Sequence, residues 1–226
     1  MPDATTNPEL LRSLGRLARG LSALFWGLPA ALLTGAGTAR ADGLKPLGML
    51  PVLVVNALLV FGVWQLSRFQ KQERPWRTAL DRVRLLAVVI LGLSPFIYWH
   101  NQVPEQPYFG AMVLVLELVA VLFLYCLNQA LQRLGAMLPD ETLRQETRQF
   151  TALNRWLLVI LLAVTVVATA LLQLPHPSAQ VGHLLVWLNR GSRLLLIFFV
   201  LLPLAMTMAL IWKTKEVILD AVFGAR

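Results

Sequence analysis

The chain has 226 residues, 57% of them hydrophobic and only 14% charged, at a mean hydropathy of +0.65; a soluble domain of this length needs a polar surface that this composition does not supply, which leaves a polytopic membrane protein. The net charge of +8 would suit nucleic acid only if the basic residues gathered on a soluble face; they are spread by membrane side instead, so no nucleic-acid partner is expected. A single cysteine, Cys126, excludes an internal disulfide as well as CxxC redox or zinc chemistry.

Asn7-Pro8-Glu9 combines an N-cap, a proline suited to the first helical turn and an early acid, so a helix starts there. Arg12, Arg16 and Arg19 recur at i, i+4 and i+7 on one face, opposite Leu10, Leu14, Leu17 and Leu21. A short amphipathic helix of this kind lies on an anionic inner leaflet, and these three arginines are the expected lipid-facing basic residues. Twenty uncharged residues follow as a first span over 20–39, where Gly27, Ala31 and Gly35 form a small-residue stripe for close helix packing. The competing reading of this segment is a signal peptide ending at Ala39-Arg40-Ala41. The second span, 46–67, carries Pro46 and Pro51 near its outer end and Asn56 close to its middle. A basic connector leads to a third span, 83–100, with Pro95 in its outer half. The fourth, 108–128, crosses with a single acid, Glu117, near its centre. A second connector contains a helix start at Asp140 and leads to span five, 156–174. The sixth, 194–212, is interrupted by Pro203, and the tail after it puts Val217, Ile218, Ala221 and Val222 on one face, as a second amphipathic segment at the membrane surface.

The expected fold is therefore an all-α bundle of six transmembrane helices in one membrane domain. With both termini inside, sixteen basic residues fall on the cytoplasmic side, and only Arg40, Lys45, Arg190 and Arg193 fall outside. Trp64, Tyr125, Trp156 and Trp212 mark the inner ends of spans, while Trp99, Tyr108 and Trp187 mark the outer ends. Sixteen arginines against four lysines, with abundant Leu and Ala, resemble the product of a GC-rich genome, and a bacterial inner membrane is the expected setting.

An ionisable side chain at the bilayer midplane is costly and is a functional-site hypothesis by default. Depth matching puts Asn56, Glu117 and Thr165 in one layer, where they form either a proton or cation site or an interhelical hydrogen-bond cluster. His100, His176 and His183 all fall at the outer face and are weak candidates for metal ligation. No GxxxxGK[ST], GxSxG, HExxH or CxxCH motif occurs, so neither a cofactor nor an enzymatic activity is expected. The leading expectation is a non-enzymatic accessory or assembly subunit that acts through helix packing and a basic cytoplasmic face. Its expected partners are anionic lipids and a membrane protein or a second copy of the chain. The alternative is a small proton- or cation-coupled transporter that uses Glu117.

Overall fold

The computed structural model describes residues 8–40, 47–69, 73–137, 141–172, 198 and 200–220, and every regular element among them is helical. The helices are α1 (Pro8–Arg40), α2 (Leu50–Ser67), α3 (Arg74–Leu93), α4 (Pro95–Gln102), α5 (Pro107–Met137) and α6 (Glu141–Leu172), followed by a C-terminal helix over 200–220. Four stretches are long and apolar enough to cross a membrane: Arg12–Thr38, Leu50–Ser67, Pro107–Met137 and Thr147–Val167. They correspond to the first, second, fourth and fifth expected spans. They are compatible with a multi-pass membrane protein.

The third expected span is divided. Arg74, Arg77, Asp81, Arg82 and Arg84 carry charge from the start of α3 to just past its midpoint, and the apolar run that follows ends at Pro95. Proline has no N–H to offer the carbonyl four residues back, which here is that of Leu91. The Ser94 hydroxyl donates to that carbonyl at 2.8 Å instead, and the chain turns into the short helix α4. Of the sixth expected span, residue 198 and residues from 200 onward are described, and they are helical.

At the N-terminus the expected surface helix and first span are one continuous helix of 33 residues. At 1.5 Å per residue it is about 50 Å long, well beyond the roughly 30 Å of a hydrocarbon core. It stays helical even through Pro29, which has no N–H to offer the carbonyl of Phe25, and Leu17, Leu21, Leu24 and Leu28 continue a single buried stripe from the basic half into the apolar half. The tail behaves alike. Ile211, Thr214 and Ile218 are buried and Val217 packs on the core, so up to residue 220 this face is held by protein rather than lying free on a surface.

α1 packs on α2, α2 on α3, α3 on α5 and α5 on α6, while α4 bridges α1 and α5. The C-terminal helix meets α1 where Trp212 lies 5.5 Å from Phe25, ring centre to ring centre. It meets α5 and α6 through Thr207. Large apolar side chains face outward, Leu33 at 71% exposure and Trp156 at 70%, while Asn128, Thr147, Thr151, Asn154, Thr207 and Thr214 are buried. Polar side chains inside and apolar ones outside is the arrangement hydrocarbon favours.

Candidate functional site

The expected midplane residues occupy separate surroundings. Asn56 is buried on α2, and its amide donates to the Val52 carbonyl of its own helix at 2.8 Å. Thr165, half-buried on α6, donates to the Leu161 carbonyl at 2.9 Å. Glu117 is exposed on α5 and makes no hydrogen bond or ion pair with another described residue. Because α3 packs between α2 and α5, the side chains of Asn56 and Glu117 are not brought together.

A different polar group does assemble. On α5, the Asn128 amide donates to the Leu124 carbonyl at 2.8 Å and to the Thr207 hydroxyl oxygen at 2.9 Å. From α6, the Asn154 amide points at Asn128 Oδ1 and Thr207 Oγ1, both at 3.0 Å, and at the Pro203 carbonyl at 3.3 Å. Thr207 in turn donates to the Pro203 carbonyl at 2.7 Å. None of the three side chains is more than 1% exposed. The junction ties three helices across 26 to 79 residues of sequence. Sequence reading gave Asn128 to a span end and Asn154 to a connector. The signal available was the i, i+4, i+7 recurrence of Thr147, Thr151 and Asn154, which the structure buries as one face of α6. Thr147 on that face packs against Gly135 of α5, where an added Cβ would lie 3.3 Å from its hydroxyl. Among the described residues the Thr147 and Thr151 hydroxyls and Asn154 Oδ1 have no hydrogen-bond partner.

The basic residues form a third environment. Arg12 and Arg19 are exposed and Arg16 half-buried; the Arg16 and Arg19 guanidinium groups turn back to the carbonyls of Arg12 and Gly15 on their own helix, at 3.4 and 3.3 Å. The entrance to α3 is fixed by Trp76, buried, whose indole donates to the Phe69 carbonyl at 3.2 Å. Arg84 lies over the Trp64 ring at 5.0 Å and Arg155 over the Tyr125 ring at 6.0 Å. Between α3, α5 and α6 opens a cavity of about 370 Å³, whose walls include Arg82, Arg133 and Arg155 but none of Asn56, Glu117 or Thr165.

Of the three histidines only His100 is described; His176 and His183 lie outside the described residues. His100 is half-buried against Gly110, and its Nδ1 is buried without a partner among the described residues. Among the described residues no three His, Cys, Asp or Glu side chains gather as metal ligands would. Compared with models of known families, with curated proteins and with solved structures, the chain matches none.

Proposed function

We propose that the chain is a non-enzymatic, multi-pass protein of the bacterial inner membrane that works as an accessory or assembly subunit, joining another membrane protein or a second copy of itself through helix packing. The observation that carries this reading is Glu117, a carboxyl within the apolar helix α5, exposed on the surface of the chain and unpaired among the described residues. A group of this kind is expensive in hydrocarbon and favours a helix from outside that brings it a hydrogen-bond donor. The transporter alternative needs Glu117 to change charge, whereas the subunit reading needs only that it be hydrogen-bonded.

Both termini are proposed to be cytoplasmic. Supporting this, the contacts Gly20 with Gly62, Trp64 with Arg84, and Tyr125 with Arg155 bring the basic residues of α1, α3 and α6 to one end of the bundle. A cysteine introduced at Arg77, with Cys126 replaced by Ala, is expected to resist an impermeant thiol reagent in intact cells and to react after lysis. Reaction in intact cells would reverse the orientation.

The functional test is purification of the full chain in mild detergent with identification of what accompanies it. Wild type and Glu117→Gln are expected to retain the same partner, and Glu117→Leu to lose it. A monomer with no companion in all three would end the subunit reading. A phenotype lost in Glu117→Gln, with association and stability intact, would favour transport.

A further inference from the structure

We infer that the groove between α3, α5 and α6 is a binding site for a phosphate-bearing anion. Three arginines, Arg82, Arg133 and Arg155, all exposed, line it from three different helices, and the half-buried Gln129 and Gln132 beside them are further potential donors. Among the described lining residues there is no Asp or Glu, so the three arginines are the charged groups described there. Guanidinium forks match phosphate oxygens in pairs, and like charges around one cavity are relieved when an anion enters. At about 370 Å³ the groove falls within the range of small-ligand sites.

The depth of the groove narrows the ligand class. Arg155 is both a wall residue and the cation over Tyr125, and the neighbouring Trp156 is 70% exposed. Aromatic residues of this kind mark the level of headgroups in a bilayer, where basic pockets between helices take anionic lipid phosphates. A soluble phosphate ester offers the same chemistry from the aqueous side. Arg12, Arg16 and Arg19 do not line the groove. The inference rests on the membrane reading above but not on the existence of a protein partner.

The test uses full-length protein in neutral detergent, with pyrophosphate in one arm, phosphatidylglycerol or cardiolipin in the second, and a neutral glycolipid without phosphate as control. Binding is read by native mass spectrometry and by thermal stabilisation. Wild type is expected to retain at least one phosphate-bearing probe, with affinity that falls as salt rises, and to ignore the glycolipid. The triple change Arg82→Gln, Arg133→Gln, Arg155→Gln is expected to weaken that binding at least about tenfold. The double change Arg68→Gln, Arg148→Gln, at exposed positions that do not line the groove, is expected to leave it within about twofold. Should the first triple variant fail to fold, Arg133→Gln, at an exposed position, is expected to weaken binding severalfold by itself. Retention of lipid without competition by pyrophosphate assigns the source to the bilayer; displacement of lipid by pyrophosphate assigns it to a soluble ester. No binding of either probe by wild type, or equal binding by wild type and groove variants, overturns the site, and it does so whether or not a protein companion co-purifies.

Discussion

The first two helices and the last three close on one another by different means. Between α1 and α2 the backbones themselves approach: a Cβ added at Gly20 would lie 2.9 Å from the Gly62 carbonyl oxygen, and one added at Gly27 would lie 2.7 Å from a Leu59 methyl. Between α5, α6 and the C-terminal helix, contact is made instead by two asparagines and a threonine that exchange hydrogen bonds in a dry interior. In a bilayer, lipid tails compete equally well for apolar side chains, so a helix seam needs either close backbone contact or polar bonds that lipid does not supply. The two seams use one solution each. The first tolerates no added atom and the second no lost donor.

Gly20→Ala should produce the largest loss, on the order of 2 to 3 kcal/mol, because both α2 backbone and the Gln65 Cβ stand in the way of the new methyl. Gly35→Ala is its control. There the nearest atom to an added Cβ is an Ile97 methyl at 3.8 Å, and a change within about 0.5 kcal/mol is expected in reversible unfolding from bicelles. Equal losses at Gly20 and Gly35 would mean that the tight α1–α2 seam does not exist.

Next in size is Asn154→Leu, expected to cost about 1 to 2 kcal/mol by stranding Asn128 Oδ1 and removing a second donor from the Pro203 carbonyl, which keeps Thr207. Adding Asn128→Leu should cost clearly less than the sum of the two single changes, since the bond between them is already gone. Strict additivity in that cycle would dissolve the junction. Ser94→Ala comes third, at about 1 kcal/mol, because the Leu91 carbonyl that Pro95 leaves open loses its hydroxyl donor. Restoration by Thr at the same position would attribute the loss to the hydroxyl.

The smallest effect sharpens the comparison from the other side. Asn56→Leu and Glu117→Leu are expected to add within about 0.5 kcal/mol, because the two residues sit on helices that α3 keeps apart. A coupling well beyond that would restore the midplane cluster expected from depth alone.

How much of this was legible follows the same division. Helical class and four of the crossing stretches are written in composition and hydropathy, which need no tertiary knowledge. Gly27 is visible as part of a small-residue stripe and does meet Leu59, but the backbone approach itself runs through Gly20 and Gly62, and Gly35 has room to spare. Spacing along one helix does not reveal which face its neighbour will take. Asn128 and Asn154 are illegible for a related reason: one looks like an ordinary residue at a span end and the other like part of a polar connector until partners 26 to 79 positions away are brought beside them. Matching residues by depth failed for Asn56 and Glu117 because depth fixes one coordinate of three. The arginine groove likewise depends on α3, α5 and α6 converging, so its residues read in sequence only as connector charge.

The claim on which the functional account turns is that the Glu117 face of α5 is covered by a helix from another chain. A photo-cross-linking residue at Val121, one turn beyond Glu117 on the same side of the helix, tests it in native membranes while leaving the carboxyl intact. The account predicts a cross-linked product that contains a second polypeptide, either a partner or another copy, and that disappears with Glu117→Leu. Cross-links to lipid alone, from a chain that remains monomeric, would contradict it.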